Sequence, residues 1–325
     1  MILLESHNTI IKNVLTERFV KPSKIDVQFV DYDNVRFHLS TPTSKTVLVL
    51  SMGIHCWSDL KKYGAPEILE REFGEWVSND PNLKEQDYDV TLVLDLEKIP
   101  EEGDDRDALI DHFSMLKPII LSAPFHRAYN EHSQLASKHK STFQPGMADQ
   151  APEERGELMI IHYREEEAIY VQAANDRVTI VISTLFTDET DRVFGKVFLQ
   201  EFVDARRRSS AIGTAPQVMY TTRDPPLEVR NAPGIAGVKR SEDVGWITFV
   251  LFPRHFATPE IASDTTFKLE LFRDYLHYHI KASKTYMHSR MRARVASFQQ
   301  ILNRAKPEVI QDERKTATGR TFRSR

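Results

Sequence analysis

Five stretches of the chain carry residue types that do chemistry elsewhere. His277-Tyr-His279 offers two imidazoles, Glu165-Glu-Glu167 and Asp188–Asp191 offer grouped carboxylates, Cys56 is the single thiol, and Thr318-Gly-Arg-Thr321 resembles the end of a phosphate loop. Two histidines two residues apart on a helix point to separate faces, whereas helical metal pairs sit three or four apart. They read as packing or capping imidazoles. The carboxylates fall in a turn and at a helix start, where the macrodipole favours them. A catalytic carboxylate pair needs burial to move its pKa, and the pattern gives no sign of burial. Cys56 has no adjacent histidine and reads as a small buried side chain. Thr318-Gly-Arg-Thr321 lacks the glycine loop before it and a helix after it. Gly-x-Ser-x-Gly and Gly-x-Gly-x-x-Gly are absent. The expectation is a chain without catalytic residues, metal or cofactor.

Basic residues need a fuller weighing. Arg206-Arg207-Arg208 ends a helical pattern, where cations are worth about 0.3–1 kcal/mol each against the helix dipole; two serines, Ser209 and Ser210, follow directly. A second group comprises Lys281, Lys284, Arg290, Arg292 and Arg294, with no Asp or Glu between Tyr275 and Pro307. A solvated face is the plain reading of such charge, and an acidic partner is the functional one. A positive ridge suits nucleic acid, an anionic membrane or an acidic protein. Nucleic-acid modules interleave exposed aromatics or glycines with the charge. Here the aromatics fall on the apolar stripes, which favours an acidic protein and leaves nucleic acid as the alternative.

The element that carries this charge is the longest in the chain. Asp264 to Ala305 has no proline or glycine, and Phe272, Leu276, Ile280, Met287, Met291, Val295, Phe298 and Leu302 recur at helical steps. A second stripe runs through Leu271, Tyr275, Tyr278, Ala282, Tyr286 and Ala293. Ser263 or Asp264 is the expected cap, and Pro307 the stop. Such a helix would be roughly 60 Å long, longer than a compact domain, so part of it should pack on something else.

The 325 residues suffice for two domains with real cores. A net charge of −4 argues against a chain built throughout to coat nucleic acid. One cysteine excludes an intramolecular disulfide and fits a reducing compartment. The opening Met1-Ile-Leu-Leu run is too short for a signal peptide, and no apolar stretch nears the roughly 20 residues of a membrane span. A soluble intracellular protein is expected.

In chain order, residues 3–19 read as a helix, and Ile25–Val30 and Val35–Leu39 as a hairpin across Asp31-Tyr-Asp-Asn34. Thr46–Ser51 is a third strand, Leu60–Phe73 a helix and Asp89–Leu96 a strand. A helix from Ala108 to about Leu121 should kink at Pro118, with a further break at Pro124. The pattern lapses between Lys138 and Gly156. The order then recurs: a hairpin across Arg164-Glu-Glu-Glu167, a strand at Val178–Leu185, a helix at Val193–Arg207, strands near Gln217–Thr221 and Trp246–Phe252, then the long helix. Val47-Leu-Val-Leu against Val178-Thr-Ile-Val, and Gly64 against Gly195, fall at nearly one offset and suggest a duplication. Pro225-Pro226 and Asn231-Ala-Pro-Gly-Ile-Ala-Gly237 read as an exposed loop. The expectation is an α+β fold of two similar domains, each a twisted antiparallel sheet packed with helices, plus the long helix. The boundaries expected are 1–137, a linker at 138–156, 157–262, the helix at 263–306 and a tail at 307–325.

Several longer strings resemble one family: Met1-Ile-Leu-Leu-Glu5, Ile161-His-Tyr-Arg164, Asp176-Arg-Val-Thr179, Gly195-Lys-Val-Phe198, Thr214-Ala-Pro-Gln-Val218, Pro225-Pro-Leu-Glu228, Phe249-Val-Leu-Phe-Pro-Arg-His255, Phe272-Arg-Asp-Tyr-Leu-His-Tyr-His-Ile-Lys281 and Thr318-Gly-Arg-Thr-Phe322. They resemble the 34 kDa subunits (p34-Arc family) of the Arp2/3 complex. The resemblance implies a non-catalytic core subunit whose long helix packs on the 20 kDa subunit, among the other subunits and the two actin-related proteins. It also implies contact with the mother actin filament, support of nucleation and branching, and a place in cytoplasmic, cortical actin. On that reading Phe272, Leu276, Ile280, Met287, Met291, Val295, Phe298 and Leu302 dock the partner subunit. Lys281, Lys284, Arg290, Arg292, Arg294 and Arg206–Arg208 meet the filament.

Overall fold

A computed structural model describes residues 4–78, 80–100, 103–142, 154–230, 232 and 243–304. Most of the expected linker, most of the Asn231–Gly237 stretch, Thr318-Gly-Arg-Thr321 and the tail lie outside these residues. The chain divides into two units, Met1–Ile280 and Lys281–Arg325.

The first unit opens with α1 (Thr9–Val20), where the Asn8 side chain accepts from the backbone N–H of Ile10 and Ile11. That cap satisfies two otherwise orphaned donors. Ile11, Leu15 and Phe19, four apart, are its buried face. β1 (Asp26–Val30), β2 (Arg36–Ser40), β3 (Val47–Gly53) and β4 (Val90–Asp95) then form an antiparallel sheet in the order β1-β2-β3-β4. The β1–β2 turn places Asp33 at φ 62° and Asn34 at φ 56°, the left-handed region that Asp and Asn tolerate best among side-chain-bearing residues.

α2 (Trp57–Lys62) and α3 (Ala65–Phe73) connect β3 to β4. The expected kink at Pro118 is instead a division into α4 (Asp104–Ser114), α5 (Leu116–Leu121) and α6 (Ala123–Thr142). Pro118 and Pro124 each lie in the first turn of a new helix, where a missing N–H costs nothing.

A second antiparallel sheet contains β5 (Arg155–Ile161), β6 (Ile169–Ala174), β7 (Val178–Leu185), β8 (Gln217–Thr222) and β9 (Val244–Leu251) in the order β5-β6-β7-β9-β8. α7 (Glu189–Arg208) lies between β7 and β8 in sequence. The first sheet carries a remnant of the β8 position. Val77 makes an isolated antiparallel bridge to Leu92, flanked by Ser78 N–H to Thr91 O at 3.0 Å and Val93 N–H to Trp76 O at 2.8 Å. The two glycines aligned in sequence do different jobs. Gly64 precedes α3 at φ 97°, whereas Gly195 lies inside α7, where a Cβ would come within 2.7 Å of the Phe186 ring.

One contiguous apolar core runs through both sheets, from Ile11 and Leu50 to Ile180 and Ile280. β9 is buried along its whole length. Its second face, with Trp246 and Val244, is covered by Val229 and Ala232. Val229 and Ala232 are therefore a cover over Trp246, whereas Leu227 and Arg230 stay exposed, so the stretch is only partly the exposed loop expected. The expected single helix from Asp264 is two: α8 (Pro259–Glu270) and α9 (Phe272–Arg304). The true start is signalled by Thr258-Pro259, with the Thr258 hydroxyl accepting from Ile261 N–H. No glycine or proline marks the interruption at Leu271; it falls where side chains on both sides enter a buried charge cluster.

Candidate interaction site

From Lys281 to Arg304 the second unit is a helix whose side chains are exposed, Lys284 alone being half-buried. Met287, Met291, Val295, Phe298 and Leu302 recur every three or four residues, and each is 43–62% exposed. Ile301, absent from the sequence-derived stripe, belongs with them at 61%. Scattered exposed apolar residues are ordinary, but six on one helical face make a contiguous patch of the kind that marks interaction sites. Phe272, Leu276 and Ile280 do not belong to it. They are 6%, 0% and 2% exposed, inside the core of the first unit, with Phe272 edge-on to Phe249 at 4.8 Å. One continuous heptad-like pattern thus changes its role at Ile280, a change that periodicity cannot reveal.

At about 100° per residue, the basic residues of α9 do not share one face. Lys281 and Arg292 flank one side of the apolar stripe and Arg290 the other, while Lys284 and Arg294 fall within its span. Arg290 lies over the Tyr286 ring, 5.6 Å from the centroid. On α7, Arg208 is exposed and bonds Glu201 through Nη1 to Oε2 at 2.6 Å. Arg206 and Arg207 occupy the last turn of the same helix.

The imidazoles are packing groups. His277 Nε2 meets Thr184 Oγ1 at 3.1 Å, and His279 stacks on Phe198 at 5.7 Å and meets Tyr275 at 4.2 Å. Cys56 is 2% exposed, and burial pushes its thiol up to about 12. No group of three or more His, Cys, Asp or Glu among the described residues is arranged to hold a metal. No helix among them is long and apolar enough to cross a membrane. A cavity of about 810 Å³ beside α7 and β8 is lined chiefly by apolar side chains such as Phe202, Ile212, Val218 and Phe272, with Asp264 and Lys268 paired to each other.

The carboxylates of the 164–167 turn require a correction. Glu167 is 5% exposed and ionically bound, with Oε2 2.8 Å from Arg273 Nη2. Its Oε1 accepts from Leu185 N–H at 2.8 Å and Thr184 Oγ1 at 3.1 Å. Arg164 Nε donates to Asp33 Oδ1 at 2.8 Å, and Arg273 Nη1 lies 3.4 Å from Asp274 Oδ1. Lys117 Nζ donates to Tyr32 O at 3.0 Å and lies 3.8 Å from Asp31. Both Glu270 carboxylate oxygens are shut off from solvent without a hydrogen-bond partner. Burial holds Glu270 well above the usual carboxylate range; burial and then the Asp33 charge raise Asp274 to about 7. The cluster joins the β1–β2 turn, the β5–β6 turn, α5 and the α8–α9 junction. It is a structural clasp, its charged groups tied mainly to one another. Alternating polarity around residues 164–167 could not announce it, because the charged partners Asp33 and Arg273 lie more than 100 residues away.

Among the described residues, the first unit is packed around a core and the second is an exposed amphipathic helix. Residues 50–309 match the family model described as Arp2/3 complex, 34 kD subunit p34-Arc. The chain is 48% identical to the Actin-related protein 2/3 complex subunit 2 of Schizosaccharomyces pombe, over 99% of both chains. It is 34% identical to the protein of the same name from Dictyostelium discoideum, again over 99% of both. The match covers both sheets and the exposed helix, and the chain belongs to the p34-Arc family.

Proposed function

We propose that this chain is a non-catalytic structural subunit of the Arp2/3 complex, acting in actin nucleation and branching in the cytoplasmic actin cytoskeleton, including its cortical structures. The observation that carries the reading is the exposed stripe Met287, Met291, Val295, Phe298, Ile301 and Leu302, which needs a partner surface in water. That partner is the complex's 20 kDa subunit. Burial of the stripe supplies association energy at about 25 cal/mol per Å² of apolar surface, less the cost of ordering two molecules. Lys284 and Arg294, inside the span of the stripe, lie along that interface with their stems on apolar surface. Lys281, Arg290 and Arg292 on its flanks, and Arg206–Arg208 on α7, face the acidic side of the mother filament. Charge there sets orientation and association rate more than affinity. The remaining subunits, the two actin-related proteins among them, complete the assembly.

Gentle affinity capture and sizing of the endogenous protein tests this. Recovery in a stoichiometric assembly several-fold larger than 37.5 kDa, with two actin-like chains, is the expected outcome. A monomer without actin-like partners would overturn it.

A further inference from the structure

Arg206-Arg207-Arg208 directly precede Ser209, and the fold presents that serine where an enzyme can reach it. Ser209 is exposed and caps the C-terminus of α7 with extended backbone, φ −132° and ψ 120°. Its N–H makes the closing helical bond, to Ala205 O at 3.1 Å. The last turn of α7 and the long bond from Ile212 N–H to Ser209 O at 3.4 Å must open to present the arginines and the serine as one extended strand, and helix ends open most readily. Ser210 is placed differently. It begins a 3₁₀ turn closed by Gly213 N–H to Ser210 O at 3.1 Å, which folds the chain away from an extended course.

We propose that Ser209 is a phosphorylation site for a protein kinase that reads basic residues on the N-terminal side of its target. In the transfer, Ser209 Oγ forms a bond to the γ-phosphorus of ATP. The bond from that phosphorus to the β–γ bridging oxygen breaks, ADP leaves, and the hydroxyl proton passes to the kinase base. Two consequences follow from charge. A phosphate carries about −1.5 to −2, which offsets about half to two thirds of the positive charge of the three arginines beside it. It also sits at the negative end of the α7 dipole, where it loosens the last turn. Arg208, now bonded to Glu201, has a stronger acceptor one residue away. The modification would therefore weaken the contact of this corner with an acidic filament. That regulatory consequence rests on the reading of Arg206–Arg208 as filament-facing, whereas the site itself does not.

The test uses the intact affinity-captured complex with the catalytic subunit of cyclic-AMP-dependent kinase and ATP, followed by phosphopeptide mapping of this chain. Phosphate on the peptide spanning the end of α7, lost in Ser209→Ala and kept in Ser210→Ala, is the expected result. Absence of phosphate there, or phosphate that persists in Ser209→Ala, would overturn the site. Filament co-sedimentation at low salt then reads the consequence. Phosphorylated complex should bind about fivefold more weakly, the order of one surface charge pair. The triple variant Arg206→Glu, Arg207→Glu, Arg208→Glu separates the two ideas. If it weakens binding and phosphorylation does not, the regulatory role is overturned. If neither weakens binding, the filament reading of these arginines fails while the mapped site stands.

Discussion

Asp33 and Arg164 occupy the turns of corresponding hairpins in the two sheets, 131 residues apart, and Arg164 Nε donates to Asp33 Oδ1 across 2.8 Å. The same spacing separates Val47 and Val178, the first residues of β3 and β7. The two halves of the first unit thus meet through equivalent turns, one contributing a carboxylate and the other a guanidinium. Arg164 is 34% exposed at its side chain, so water screens the pair. Arg164→Ala should cost only about 1 kcal/mol in urea unfolding of the chain. Glu167→Ala should cost more. It strands Arg273, 14% exposed at its side chain, beside Asp274, and loss of one partner of a buried pair costs about 3–5 kcal/mol. Equal losses from the two substitutions would show that Glu167 is not the buried anchor of the clasp.

The clasp was invisible in the sequence, and the reason is physical. Periodicity identifies which face of an element is apolar, and so it placed both sheets, their hairpins and most helices. It cannot say whether Glu167 in a three-glutamate turn faces water or an arginine more than 100 residues later. The same limit explains the stripe from Phe272 to Leu302. Helical spacing is identical on both sides of Ile280, yet Leu276 is fully buried and Met291 is 55% exposed. Only tertiary packing separates the buried half from the exposed half.

That separation predicts two classes of variant. Leu276→Asp places a charge in the core and should abolish folding of the chain, seen as loss of soluble protein. Met291→Asp and Phe298→Asp should leave the unfolding midpoint of the first unit within about 0.5 kcal/mol, as surface changes do. They should nevertheless prevent recovery of the assembled complex. Full assembly with Phe298→Asp would remove the stripe as the docking surface.

The charges on the flanks of that helix predict a different defect. Lys281→Glu with Arg292→Glu should leave assembly intact and weaken co-sedimentation with filaments, most at low ionic strength. Normal branching and side-binding by this variant would contradict a filament-facing role for that flank.

Gly195 tests the packing of α7 on the root of α9. A Cβ there would lie 2.7 Å from Phe186 ring carbons and 3.3 Å from Ile280 Cδ1. Alanine favours a helix over glycine by about 1 kcal/mol, yet overpacking typically costs 1–3 kcal/mol. The clash should win, because Phe186 is 1% exposed and has no open direction in which to move. A Gly195→Ala chain with a raised melting temperature would mean that the ring adjusts freely.

The clasp also predicts how stability depends on pH. Asp33, Asp31, Glu167, Glu270 and Asp274 face Arg164, Arg273 and Lys117, so full ionisation would leave an excess of buried negative charge. Two protons relieve it, and Asp274 and Glu270 are the groups whose folded-state pKa is raised. A carboxyl with a raised folded pKa binds its proton more tightly when native. Its contribution to stability is complete below the unfolded value, 3.8 for Asp274, and is lost as the pH rises through about 7. Urea midpoints should therefore show a falling component between about pH 4 and 7, whereas Asp59, whose pKa is lowered despite burial by its bonds to His162 and Lys62, adds the opposite trend chiefly below its unfolded value of 3.8. Asp274→Asn keeps the shape, removes the titration and should flatten the falling component. The carboxamide donates a hydrogen bond that an ionised carboxylate cannot, so the variant should equal or exceed the parent in stability at pH 8. A parent curve that rises monotonically to pH 8, or an Asp274→Asn curve with the parent's slope, would show that the clasp holds its carboxylates fully charged.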